Sequence, residues 1–375
     1  MIRLGIVGVG KMGLSHLSII NTHPAVQVVG LCDATSYVLD VMNKYMGFAA
    51  FGDYRALIDQ AKPDAVIVAT PSRTHGEIAR YALQQGIHVF VEKPLCLSVA
   101  EGRDLAALAV RAKVVNQVGY HYRFVGAFQN VKRLLERGVI GEVHSFRVEA
   151  YGPVALQPKG GTWRSSKIEG GGCLYDYASH AVNLANHLFG MPSGVGGSVL
   201  HSVFSKLVDD EVYSTLFYPG GLSGQLCINW SDETHRKMSM HVEAWGKNGK
   251  LSADRQECQV YLRSGHFPDF ELTEGWNIRY TTELTPPVRC YVRGEEYSAQ
   301  LDYFVECIES RTTENVNSFA SALETDEVLQ MIESDAALGP RTTANTPPAA
   351  PPRPEGVRET LIRWLGGGPD HRRTS

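Results

Sequence analysis

The chain has 375 residues, with 36 lysines and arginines against 40 aspartates and glutamates, a formal net charge of −4 and a pI near 6.4. At 43% hydrophobic and 20% charged residues it has a globular composition, which excludes global disorder and collagen-like repeats. The slight acidic excess argues against nucleic acid as a partner, and no apolar run reaches the ~18 residues that a membrane span needs.

At about 150 residues per domain the length suggests two domains, or one large domain with appendages. The seven cysteines are odd in number, scattered and never spaced C-x-x-C. That pattern suits reduced thiols in the cytoplasm and supports neither a disulfide framework nor a zinc site, so no metal is expected. The opening residues lack a charged leader followed by a long apolar stretch, and they read as a first strand and not as a signal peptide.

In chain order, short apolar segments rich in β-branched residues predict strands at Ile2–Val7, Val26–Cys32, Ala65–Ala69, Val89–Val91 and Val114–Val118. Helical patterns lie between them at Lys11–Thr22, Tyr37–Met46, Tyr54–Gln60, His75–Gln85 and Ser98–Ala112. Such alternation means right-handed βαβ units and a doubly wound parallel sheet over residues 1–120. After Tyr120 the pattern changes. Ala127–Arg137 and Leu174–Phe189 read as helices, and Glu142–Tyr151 as a strand. Several β-rich runs with glycine turns follow from Gly194 to Leu262, and then helices at Ser298–Glu309 and Ser321–Ala337. This predicts an α+β domain over residues 121–340 with a mostly antiparallel sheet. The proline-rich run from Thr346 cannot form a helix or a central strand and reads as a linker in a tail of residues 341–375. Val357–Leu365 within it could form a short amphipathic helix.

Gly8-Val-Gly10-Lys11-Met12-Gly13 follows the first strand and opens the first helix. Gly8 permits the tight turn, Gly10 lets a pyrophosphate approach the backbone, and Gly13 lets the helix pack on the sheet. Asp33, at the end of the second strand, is placed to accept the hydroxyls of an adenine ribose. No arginine follows it in Ala34–Leu39 to receive a 2′-phosphate, so NAD is expected, with NADP possible. Val89-Phe-Val-Glu92-Lys93-Pro94 sets a charged pair at the carboxyl end of a buried strand, where doubly wound sheets open their ligand crevice. By itself, a Lys–Glu pair capping the strand is an equal reading.

With these features the sequence resembles the glucose–fructose oxidoreductase, inositol dehydrogenase and rhizopine-catabolism family, Gfo/Idh/MocA. The resemblance spans residues 1–335. It rests on the glycine loop, Ala69-Thr-Pro-Ser-Arg-Thr-His75, Gly86-Ile-His-Val-Phe-Val-Glu-Lys-Pro94 and Val118-Gly-Tyr-His-Tyr-Arg123. It continues through Gly138-Val-Ile-Gly-Glu-Val143, Trp163, Gly170-Gly-Gly-Cys-Leu-Tyr-Asp176 with His180, and Trp245-Gly-Lys-Asn-Gly-Lys-Leu251. The resemblance implies a Rossmann domain, then an α+β domain with a large open sheet. It also implies a nicotinamide dinucleotide at their junction, a sugar or cyclitol substrate, and a dimer or tetramer. Lys93 falls on the family's substrate-hydroxyl lysine, and Asp176 and His180 fall on its substrate-lining pair. Thr70, Pro71, His75 and Glu92 match positions that approach the cofactor. The sequence departs from many members at Asn183, where they carry an aspartate.

Asp176 and His180 are four apart on one predicted helix and so share a face, with Asn183 three further along. The carboxylate is expected to orient the imidazole. On spacing alone, helix capping by Asp176 beside a half-exposed His180 is the stronger reading, and the family resemblance reverses it. His121, Arg123, Trp163, Arg164 and Lys167 are further candidates for the cleft, since aromatic and cationic groups suit sugar faces and phosphates. His187, Asn186 and Cys173 read as packing or capping residues. The leading expectation is an NAD(P)-dependent oxidoreductase acting on a secondary alcohol or ketone of a sugar, sugar derivative or cyclitol. Lys93, His180 and Asp176 would carry the acid–base chemistry. Two readings stand beside it: a redox-neutral glycosidase or epimerase that retains NAD, and a dinucleotide-binding regulator.

Overall fold

A computed structural model describes residues 1–156 and 163–339. The proline-rich tail and Val357–Leu365 lie outside the described residues. The first six strands are β1 (Ile2–Val7), β2 (Val26–Cys32), β3 (Ala50–Phe51), β4 (Ala65–Val68), β5 (His88–Val91) and β6 (Asn116–Val118). They form one parallel sheet in the order β3-β2-β1-β4-β5-β6. The order reverses between β1 and β4, which opens a crevice at the carboxyl ends of these strands. The central strands are buried on both faces, so they read as continuous apolar runs: all four residues of β4 are buried.

The two-residue strand β3 escapes sequence reading because it is too short for any periodicity. The helix expected at Tyr54–Gln60 divides into a helical turn, Tyr54–Ala56, and a π-helical segment, Leu57–Ala61. Its leucine and isoleucine are fully buried under the sheet. The helix expected from Ser98 begins at Val99, with Ser98 outside it accepting the Glu101 N–H.

Eight strands form the second sheet: β7 (Val143–Tyr151), β8 (Gly194–His201), β9 (Glu211–Phe217), β10 (Ser223–Asn229), β11 (His241–Gly246), β12 (Gly249–Ala253), β13 (Glu257–Leu262) and β14 (Gly275–Tyr280). Their order is β14-β13-β12-β11-β7-β10-β9-β8, open at both ends. Every pairing is antiparallel except β7 with β10. Alternate residues face a shared core. Phe146, Val148, Val212, Leu226, Val242 and Val260 meet Phe128 and Leu134 from the helix Gly126–Glu136, and Leu184 and Leu188 from the helix Ser179–Phe189. The other face is partly apolar at the β14 edge, where Trp276, Ile278 and Tyr280 are exposed.

The helix Phe319–Ala337 packs against both the helix Val99–Ala112 and strand β8, and Met1–Gly339 form one compact unit. All seven cysteines are free. Among the described residues no helix is long and apolar enough to cross a membrane.

Candidate active site

A cleft of about 1150 Å³ runs from the carboxyl ends of β1, β2, β4 and β5 to the segments that connect the strands of the second sheet and to its flanking helices. At one end stands the glycine loop. Gly8 adopts a φ of 92°, which suits glycine, and its N–H donates to the Cys32 carbonyl at 2.8 Å. A Cβ on Gly13 would lie 1.8 Å from the Gly8 carbonyl oxygen, so this glycine lets the first helix close onto the loop. A Cβ on Gly10 would meet nothing within 4 Å. Gly10 also caps the helix Lys11–Ile20 without a side-chain bond to its first turn. This open helix start, facing the cleft beside Lys11 and Met12, fits a pyrophosphate. Asp33 lines the same end, accepting the Val9 N–H at 2.8 Å and the Thr35 N–H at 2.8 Å. The residues present therefore fit a dinucleotide.

Thr70, Pro71 and His75 border the middle of the cleft. His75 is buried, with one ring nitrogen 2.8 Å from the Pro94 carbonyl and the other 2.9 Å from the Thr70 carbonyl. It staples the segments after β4 and β5 to each other. Glu92 meets His16 Nε2 at 2.6 Å. Burial pushes its carboxyl pKa up, but His16, Lys93 and His121 outweigh this and hold it below the usual carboxylate range.

Lys93 crosses the cleft. Its ammonium donates to Asp176 Oδ1 at 2.8 Å and to the Asp176 carbonyl at 2.9 Å. Arg164 Nε donates to the other carboxylate oxygen at 2.8 Å, and its guanidinium lies 4.6 Å from the Trp163 ring centre. Asp176 is buried, which raises its pKa, yet the two cations hold it below the usual range, so it is ionised.

The expected bond between Asp176 and His180 does not form. The segment Leu174–Ala178 is π-helical, and both Asp176 oxygens turn to cations, which a buried carboxylate prefers to a neutral ring. His180 instead packs edge-on to Tyr120, His121 and Tyr122, with ring centres 5.8, 4.9 and 5.3 Å away. Its Nδ1 is buried without a partner, which leaves Nε2 as the nitrogen available in the cleft. Burial, then Lys93 and His121, push its pKa well below the usual imidazole value. His121 stacks on Tyr297 at 4.4 Å, and burial lowers its pKa to about 3. Both rings are neutral at physiological pH.

Trp163 and Arg164 line the cleft, as does His121. Arg123, Asn183 and Lys167 do not. Arg123 is buried and donates to the Asn183 side chain at 2.7 Å, to Ser321 Oγ at 2.8 Å and to the Val316 carbonyl. The Asn183 amide donates in turn to Thr325 Oγ1 at 2.9 Å. A buried guanidinium needs every donor satisfied, and this network uses up both side chains. Lys167 pairs outside with Glu333 at 2.7 Å. Sequence reasoning missed Tyr122, Tyr297, Arg236, Lys237, Arg255 and Arg293, which all line the cleft. Tyr122 lies within the Val118–Arg123 motif without having been singled out there, and Tyr297 lies in the first turn of the helix Glu295–Ser310; Arg236, Lys237, Arg255 and Arg293 come from connecting segments with no local motif.

Residues 2–120 match the model of an oxidoreductase family with an NAD-binding Rossmann fold, and residues 128–252 match the GFO/IDH/MocA C-terminal domain. The chain is 27% identical over 92% of its length to 2,7-anhydro-N-acetylneuraminate hydratase of Escherichia coli (strain K12), covering 94% of that protein. It is 24% identical over 83% of its length to scyllo-inositol 2-dehydrogenase (NAD(+)) of Bacillus subtilis (strain 168), covering 87% of it. The structure of levoglucosan dehydrogenase in complex with NADH and levoglucosan superposes with a TM-score of 0.80 at 24% identity, over 90% of this chain and 97% of that one. With both of its sheets, its glycine loop and its Glu-Lys-Pro strand end accounted for, the chain belongs to the Gfo/Idh/MocA family of NAD-binding oxidoreductases.

Proposed function

We propose that this chain interconverts a secondary alcohol and a ketone on a sugar or cyclitol, with NAD as its redox partner. One observation carries the reading: the Lys93 ammonium lies 2.8 Å from ionised Asp176, in the cleft that also holds neutral His180 and the glycine loop. The relatives with a cyclitol dehydrogenase or a sugar-derivative enzyme in their names support the substrate class. The nicotinamide, when bound, takes up or returns the hydride.

Lys93 hydrogen-bonds the reacting oxygen; in reduction its ammonium gives that oxygen a proton, and in oxidation the hydroxyl proton passes to neutral His180 or to Lys93 in its amine form. Asp176, itself held by Arg164, fixes the direction of the ammonium. His180 offers Nε2 to the same or a neighbouring oxygen, and its neutral state lets it accept a hydroxyl proton in a hydrogen bond. Tyr120, Tyr122 and Tyr297 surround the two histidines with ring edges and faces and exclude water. Gly8, Gly10, Lys11, Met12, Asp33, Thr70 and Pro71 hold the dinucleotide.

The test is a panel of sugars and cyclitols incubated with the purified chain and NAD, scored by NADH absorbance. Net NADH formation that is lost in Lys93→Met supports the reading. Turnover of a sugar with no net change in NADH would sink it in favour of redox-neutral chemistry.

A further inference from the structure

The two walls of the cleft differ in charge. From residues 1–120 the lining contributes the acids Asp33, Asp53, Glu77 and Glu92 and the cations Lys11, Arg73 and Lys93, a slight acidic excess. From residue 121 onward the lining contributes Arg164, Arg236, Lys237, Arg255 and Arg293, and the single acid Asp176. Asp176 is already matched by Lys93 and Arg164. Arg255 is held from behind by buried Glu296 at 2.5 Å. Arg236, Lys237 and Arg293 have no carboxylate partner among the described residues.

Arg293 is half-buried, and its Nε is buried without a hydrogen-bond partner. Its guanidinium lies 5.2 Å from the Tyr297 ring centre, Tyr297 stacks on His121, and His121 borders His180. It therefore stands at the reaction end of the cleft. Arg236 and Lys237 are exposed at the mouth, in the segment that leads into β11.

Holding the Arg293 guanidinium partly out of water without an opposite charge is costly, and a neutral polyol repays little of that cost. An oxyanion repays it through charge-assisted bonds, and the planar fork of arginine matches a carboxylate or phosphate. The phosphates of a dinucleotide have their own cradle at Gly8–Met12, so they do not account for this wall. We propose that the substrate is an anionic sugar, bearing a phosphate ester or a carboxylate that Arg293 receives while Lys93 takes the reacting oxygen, with Arg236 and Lys237 at the mouth adding attraction through solvent. The inference rests on the sugar oxidoreductase reading above and deepens it.

The experiment compares D-glucose with glucose-6-phosphate and D-glucuronate. Each is titrated into the full chain saturated with NADH, and each is assayed for turnover with NAD. The expected result is that at least one anionic sugar binds about tenfold tighter than glucose and that the gap narrows with added salt. Arg293→Gln, and separately Arg236→Gln with Lys237→Gln, should each reduce the ratio of anionic to neutral affinity by about threefold or more, with NADH affinity measured alongside. Tighter binding of the phosphate or of the carboxylate then names the anion. Equal or weaker binding of both anionic sugars, or variants that weaken neutral and anionic sugars alike, would overturn the proposal. Preferential anion binding with no hydride transfer to NAD would keep it and sink the oxidoreductase reading. Turnover without charge preference would do the reverse.

Discussion

The ammonium of Lys93 and the carboxylate of Asp176 meet at 2.8 Å across 83 positions of sequence, and the Asp176 carbonyl accepts a second bond from the same nitrogen at 2.9 Å. The end of β5 is thereby tied to the π-helical turn before the helix Ser179–Phe189. A lysine with two such acceptors is held in one direction, which a proton-transferring group requires.

Lys93→Met should lower kcat by about 10² or more with the NADH dissociation constant nearly unchanged. Asp176 keeps Arg164, so the protein should still fold, as a melting curve will show. Lys93→Met combined with Asp176→Asn should cost little more than the worse single change, since the two act as a unit. His180→Ala touches neither partner's bond and should add its loss to that of Asp176→Asn. Additive losses for Lys93 and Asp176 would separate them functionally.

Asn183→Ala should lower stability by about 2–3 kcal/mol, because it deprives buried Arg123 of a charge-assisted acceptor. KM for the substrate should hold. A tenfold rise in KM with an unchanged melting temperature would place Asn183 in contact with substrate after all.

Acidification should destabilise the protein through its neutral histidines. His121 and His187 are lowered from 6.5 to about 3, foremost by burial, so between those pH values the unfolded chain binds protons that the folded chain refuses. Their stabilising contribution is complete above about pH 6.5 and declines as pH falls toward 3. Each would contribute a loss of about 2 kcal/mol between pH 7 and pH 5. His187 lies outside the catalytic cleft, so His187→Gln should flatten the fall of melting temperature over that interval. An unchanged slope would show that His187 takes up a proton in the folded state.

The two helix-start glycines should separate by readout. Gly13→Ala drives a methyl into the Gly8 carbonyl and should lower the melting temperature markedly. Gly10→Ala puts its methyl into open space, so the fold should tolerate it while NADH binds more weakly. Unimpaired NADH binding by Gly10→Ala would mean the pyrophosphate lies elsewhere.

NAD should be preferred to NADP, since the Asp33 carboxylate would repel a 2′-phosphate. The double change Asp33→Ser with Ala34→Arg should shift the ratio of catalytic efficiencies toward NADP. It should also loosen the loop, because Asp33 accepts the Val9 N–H. Equal efficiency with both cofactors in the parent protein would contradict this.

The first sheet was legible because its determinants are local. A buried parallel strand must be apolar along its length, and a chain that turns from strand to helix around a phosphate site needs glycines at fixed spacing, so Ile2–Val7 and Gly8–Gly13 state their structure directly. The antiparallel sheet was legible as a class from its turns, but not the parallel pairing of β7 with β10, which no turn records. The polar residues divided otherwise. Asp176 and His180 share a helix spacing that suggests a couple, yet the carboxylate went to Lys93 and Arg164 because a buried charge takes the strongest counter-charges that the fold brings near it. Arg123 and Asn183 are drawn into each other for the same reason, away from the cleft. The cations of the second wall lie on separate loops with no common motif, and the folding of β11, β12 and the helix Glu295–Ser310 around one cleft is what gathers them. The sequence by itself determined where the backbone could bind a dinucleotide, because that depends on steric room at a few adjacent positions. The tertiary structure decided which charges face one another, because Coulomb energy depends on distance and burial, and neither is written along the chain.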